Sequence, residues 1–142
     1  MNIGRKNQML VAITYHYVRP DYSDCGRGIQ GVTTKAFEKQ LDILSRKGTF
    51  ASAREVLGAA RGEGSLPSRG LLVTFDDGLR EQYDFAWEIL KRKGIPAIFF
   101  VNTRPIAEQI VCSVHKVHLM RAALPASTFE EVLRESARAL HI

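Results

Sequence analysis

The sequence predicts an α/β chain of parallel strands with flanking helices, an open and partial (β/α) barrel. Three observations lead there. First, the apolar run Leu71-Leu72-Val73-Thr74-Phe75 stops at Asp76-Asp77-Gly78, a helical pattern follows, and a second apolar run extends from Ile95 to Val101. Strand, helix, strand in that order is a βαβ unit, and the right-handed crossover rule makes its strands parallel. Second, Met9-Leu10-Val11-Ala12-Ile13 is apolar on both faces, as expected of a strand buried in a parallel sheet. Third, the chain has 142 residues, whereas a closed barrel takes about 250, or about 200 at the low end. Three or four strand–helix units leave an unpaired sheet edge and exposed apolar helix faces, which are expected to favour self-association.

Composition narrows the function classes. Hydrophobic residues make up 45% and charged residues 25%, ordinary for a globular domain and wrong for a disordered or fibrous chain. The net charge of +5 comes from scattered basic residues. Their tightest cluster, Lys91-Arg92-Lys93, falls where a helix ends and complements its dipole. No aromatic residues are interleaved with it, which argues against nucleic-acid binding. Cys25 and Cys112 have neither metal nor redox spacing, so free thiols in a reducing compartment are expected. Arg5 and Lys6 before an apolar run resemble a signal peptide. The run is short, however, and leads into His16 and Arg19 without a small-residue cleavage site. A first core strand and a cytoplasmic location are the expectation. No stretch is long enough to insert across a membrane.

The remaining elements follow in order. The first strand ends at Tyr15-His16-Tyr17-Val18. Residues 19–32, with Gly26, Gly28 and Gly31, read as a flexible functional loop. Thr33 or Thr34 caps a helix whose Phe37, Leu41 and Leu44 share a face, and Gly48 ends it. Thr49-Phe50-Ala51 is a very short strand. Ser52 and Glu55 then have the spacing of a capping box, opening a helix through Val56, Leu57 and Ala60. After the Asp-Asp-Gly stretch, Tyr83, Ala86, Trp87 and Leu90 are expected on one helix face, with Gly94 as its stop. Beyond Pro105, a helix is expected over residues 111–124. A last helix should be opened by Ser127 or Thr128, with an acidic residue three positions on, and run to Leu140.

Asp76 and Asp77 carry the chemistry. Two adjacent carboxylates in a partly buried turn repel, and a divalent metal resolves the conflict. One Asp can then stay ionised as a ligand while the other takes a proton from water. The bland alternative is a turn followed by a helix N-cap. Gly78 permits the sharp turn beside them. In parallel α/β folds this strand edge is where ligands collect. His16 ends the first strand at the same edge. It either lines a substrate cleft with Thr74 and Gly78 or packs beneath the 19–32 loop.

Thr74-Phe75-Asp76-Asp77-Gly78 resembles the first signature motif of the polysaccharide deacetylase family, the NodB-homology domain or carbohydrate esterase family 4. Four further stretches are similar to the same template: Ile13 to Val18, Phe37 to Leu44 with Lys47-Gly48, Leu66-Pro67, and Ala86 to Val101. The resemblance covers residues 9–105. It implies residues 1–105 as the N-terminal part of a NodB-type partial barrel, with residues 106–142 as a helical segment of the same domain. By resemblance, Asp76 is the base for a metal-bound water and Asp77 a ligand to a divalent metal, usually zinc. The substrate is an N-acetylated sugar or polysaccharide, and the metal polarises the acetyl carbonyl.

The family completes its metal site with a His-Ser/Thr-x-x-His motif that this sequence lacks, together with the later arginine, tryptophan and Leu-x-His elements. His115 and His118, three positions apart, are the substitute metal candidates, against the plainer reading of helix-surface histidines. His141 is the penultimate residue of the sequence. The expectation is a truncated deacetylase that is weakly active or inactive alone. The alternative is a non-catalytic glycan- or protein-binding module on the same fold.

Overall fold

The computed structural model describes residues 8–23 and 29–141. Arg5, Lys6, Cys25, Gly26 and Gly28 lie outside the described residues. The chain divides into two compact units. One contains Gly31–Asn102 and the chain up to Asp21; the other contains the chain from Thr103 onward and Tyr22–Gln30.

The first unit is a parallel sheet with helices. Its strands are β1 (Met9–Tyr15), β4 (Thr49–Phe50), β5 (Arg69–Phe75) and β6 (Ala97–Phe99). β5 is central. It pairs with β1 along its whole length, from Met9↔Arg69 to Tyr15↔Phe75. β4 pairs with its start and β6 with its last three residues, all in parallel. The expected βαβ unit is therefore present. A smaller parallel pair, β2 (Val18–Arg19) and β3 (Val32–Thr33), closes the two ends of the 19–32 stretch against each other. No closed barrel forms among the described residues.

Helix α1 (Thr34–Ser45) starts where the Thr33 hydroxyl accepts the Ala36 N–H, and it buries Phe37 and Leu41. Helix α2 (Ala53–Ala60) has the complete Ser52–Glu55 capping box. After β5 the chain forms a π-helical segment, Gln82–Trp87, that continues as helix α3 (Glu88–Lys93) and ends at left-handed Gly94. The core lies between the sheet and these helices. It contains Tyr15, Val18, Phe37, Leu41, Val73, Phe75, Ala86, Ile89 and Leu90. Its rings interlock: Tyr15 meets Phe37 edge-on at 4.9 Å, and Phe75 stacks on Phe99 at 4.7 Å. Emptying such a ring position costs about 3–5 kcal/mol.

Three expectations for this unit are corrected. β1 is not buried: Met9 and Val11 are exposed, and only Tyr15 in the strand is buried. Its sole ladder is to β5, so its other edge and much of its surface lack a covering layer. The final strand is three residues rather than seven, leaving Phe100 and Val101 exposed, because β6 pairs only with Val73–Phe75. The helix after β5 buries Gln82, Ala86, Ile89 and Leu90, while Tyr83 and Trp87 are exposed. The core-facing stripe, at i, i+4, i+7 and i+8 from Gln82, lies one position away from the expected one.

The second unit contains helices α4 (Thr103–Glu108), α5 (Ser113–Ala123) and α6 (Ala126–Ala139). α4 was not anticipated from the sequence; Pro105 sits in its first turn, where the missing N–H costs nothing. The last helix opens at Pro125, without a side-chain cap, rather than at Ser127 or Thr128. Proline's fixed φ already suits helix entry. No helix among the described residues is long and apolar enough to cross a membrane.

Candidate active site

The site forms where the β1–β5 ladder runs out. Tyr15 and Phe75 are its last pair, and Asp76 N–H still reaches the Tyr15 carbonyl at 3.2 Å. Parallel pairing in register thus delivers His16 and Asp76 side by side at the carboxyl edge of the sheet. The chain then turns sharply through two left-handed residues, Asp77 (φ 78°) and Gly78 (φ 65°). A non-glycine residue in that region is uncommon, and Asp tolerates it better than most. Gly78 has a second constraint, since an added Cβ would come within 2.8 Å of Val101 Cγ1.

The turn brings both carboxylates to one imidazole. His16 Nδ1 lies 3.1 Å from Asp77 Oδ2, and His16 Nε2 lies 4.0 Å from Asp76 Oδ2. The His16 and Asp76 side chains are open to solvent, and Asp77 is more enclosed. Facing an ionised Asp77, Nδ1 is the nitrogen that carries the hydrogen. Thr74 is buried one step inside the edge, its hydroxyl 2.9 Å from that of Thr14.

The next layer comes from residues that sequence reasoning missed. Gln82 is 2% exposed, and its Nε2 donates to both the His16 carbonyl (2.9 Å) and the Asp76 carbonyl (2.6 Å). Its Oε1 is buried, with no hydrogen-bond partner among the described residues. Glu81 accepts the Val18 N–H at 2.9 Å and pairs with the Arg19 guanidinium. Arg19 also lies over the Tyr17 ring, 5.6 Å from its centroid. Burial pushes the Tyr17 hydroxyl above its ordinary pKa, the charges of Asp77 and Glu81 push the same way, and Arg19 opposes them. Tyr17 therefore remains a neutral phenol beside the site. The available signal was Gln82 itself: a polar residue on the same helical stripe as Ala86, Ile89 and Leu90 has to find partners.

As metal donors, these residues fit only in part. Asp77 and His16 offer oxygen and nitrogen of the kinds zinc takes, but a catalytic zinc uses three protein ligands. Among the described residues, no three of His, Cys, Asp and Glu come together to hold an ion. His115 and His118 lie on α5 in the other unit, their ring centroids 6.3 Å apart.

The parallel sheet carries two adjacent carboxylates at its carboxyl edge, and comparison with known proteins gives the family. The polysaccharide deacetylase family profile matches residues 63–140, more than half of the chain, and the chain belongs to that family. Three solved structures are similar to it. IcaB from Ammonifex degensii is 36% identical, with a TM-score of 0.56, over 65% of this chain and 37% of that one. A de-N-acetylase from Aggregatibacter actinomycetemcomitans is 24% identical, with a TM-score of 0.55, over 63% of this chain and 36% of its own. The Streptococcus pyogenes deacetylase PplD, in complex with acetate, is 21% identical, with a TM-score of 0.57, over 76% of this chain and 52% of its own. At those identities the last two bear on the fold alone. The chain spans between about a third and about half of the solved chains it resembles. A search of curated proteins found no match.

Proposed function

We propose that this chain carries the base-bearing half of a carbohydrate N-deacetylase site. Asp76 is the general base: as a water oxygen bonds to the acetamide carbonyl carbon, its proton passes to the Asp76 carboxylate. Collapse of the tetrahedral intermediate breaks the C–N bond, the proton held by Asp76 passes to the leaving nitrogen, and acetate and the amine are released. Asp77 would be one ligand of a divalent metal, zinc by the family resemblance, and His16 and Gly78 shape the cleft, with Thr74 behind them. Residues 1–105 are the N-terminal part of the NodB-type domain and residues 106–142 a helical segment of it. The observation that carries this reading is the convergence of Asp76 and Asp77 on His16 at the β5 edge. Its support is the family membership.

The incomplete donor set has a consequence. With no three donors gathered to hold an ion among the described residues, these 142 residues alone are expected to turn over little substrate. The same shortfall favours a second reading, a glycan- or protein-binding module without catalysis. Titrating N-acetylglucosamine oligomers into native chain and Asp77→Ala, with and without zinc, separates the two. The hydrolase reading expects Asp77→Ala to abolish zinc binding and any acetate release. Oligomer binding that is zinc-independent and unchanged by Asp77→Ala supports the module instead.

A further inference from the structure

We propose that Gln82 is a positioning residue that sets the distance between the His16 imidazole and the Asp76–Asp77 carboxylates. The inference rests on reading those three side chains as the functional site. The β1–β5 ladder ends at Tyr15↔Phe75, with the Asp76 N–H on the Tyr15 carbonyl as its last backbone bond, and the carbonyls of His16 and Asp76 lie beyond it. The Gln82 amide ties those two carbonyls together. Its two hydrogens go to the His16 carbonyl at 2.9 Å and the Asp76 carbonyl at 2.6 Å. Both carbonyls belong to the residues whose side chains form the site.

The amide has only one workable orientation. Rotating it would set Oε1 against two carbonyl oxygens, which offer no hydrogen. In the orientation observed, Oε1 is buried with no partner among the described residues. A residue serving stability alone would not leave a buried acceptor unpaired, and an apolar side chain would continue the stripe of Ala86, Ile89 and Leu90. Gln82 is also the first residue of the π-helical segment, a feature that concentrates at functional sites. Its neighbour Glu81 holds Val18 N–H and Arg19, so two consecutive residues anchor the chain on the far side of His16 as well.

The test is side-chain nitrogen NMR of the full 142-residue chain, with the His16 ring assigned by its loss in His16→Gln. The native ring is expected in a single tautomer with hydrogen on Nδ1, facing Asp77. Gln82→Met keeps the arm's length but removes both donors. It should move the His16 ring nitrogens toward tautomer-averaged positions and leave His115 and His118 unchanged. Gln82→Asn, one methylene too short to reach both carbonyls, should do the same and serves if the methionine variant does not fold. Leu41→Ala destabilises the core away from the tie and should leave the His16 signals in place. His16 signals that stay native in a folded Gln82 variant, or that move equally in Leu41→Ala, overturn the proposal. Oligomer binding that is zinc-independent and unchanged by Asp77→Ala would instead count against the hydrolase reading, without altering what these spectra say of Gln82.

Discussion

Asp77 and Gly78 take consecutive left-handed conformations, and the site depends on that turn. A Cβ at Gly78 meets the left-handed penalty, roughly 1–2 kcal/mol, together with a 2.8 Å approach to Val101 Cγ1. Gly78→Ala should therefore lower unfolding stability by about 1–2 kcal/mol or more, read by urea denaturation. An unchanged midpoint would mean that the turn is softer than its geometry implies. The two carboxylates were legible in the sequence because Asp-Asp-Gly follows an apolar strand directly. Their nearness to His16 was less so. It requires β1 and β5 to be neighbours in register, and no local pattern states which strands pair. Glu81 and Gln82 went unread for a related reason. Their partners lie across that same pairing, on His16, Val18 and Arg19.

At the scale of elements, local signals were read best where the local chain decides. The Ser52–Glu55 box is closed at both ends: Glu55 accepts the Ser52 N–H at 2.7 Å, and Ser52 Oγ accepts the Glu55 N–H at 3.3 Å. Ser52→Ala should cost about 1 kcal/mol, and Ser52→Gly only a few tenths. Equal losses in thermal unfolding for the two would show that the cap hydroxyl is not what holds α2. The sequence was less informative where tertiary context decides. The Tyr83/Trp87 stripe failed because two faces one residue apart fit the same helical period, and the buried one carries the polar Gln82. β1 read as fully buried because its residues are apolar, yet burial depends on a neighbour its outer edge does not have. The final helix begins at Pro125 because a fixed backbone angle substituted for the side-chain cap that its sequence offered.

For the whole molecule, titratable groups bound a window of stability. The hydrogen bond from Arg92, aided by Lys93, holds Glu38 below its ordinary 4.5, and the Ser52 backbone N–H does the same for Glu55. A lowered carboxylate pKa stabilises the fold above the unfolded value, and that contribution is lost as pH falls through the folded value. Burial raises Tyr15 and Tyr17 above 10.0, and the hydrogen bond to Asp42 raises Lys93 above 10.5. Raised values stabilise below the unfolded pKa and are lost as pH rises through the folded one. Denaturation midpoints should therefore be flat near neutrality and fall at both extremes. The alkaline fall should accompany tyrosinate absorbance. A tyrosinate signal that develops fully at the free-tyrosine value, with no loss of fold, would contradict the burial of these two rings.

The family was legible because its motifs sit in order along residues 9–105, and the profile match over residues 63–140 agrees where the two overlap. What one chain of this length supplies to catalysis is the larger question, since it spans at most about half of the solved chains it resembles. The central claim is that Asp76 and Asp77 belong to a deacetylase site whose remaining metal donors are not assembled beside them. Acetate release from N-acetylglucosamine oligomers, with zinc added, tests it most directly. The account predicts trace turnover by the 142-residue chain, with whatever turnover exists falling about 10²–10⁴-fold in Asp76→Asn, as loss of a general base does. Turnover matching a complete deacetylase would contradict it.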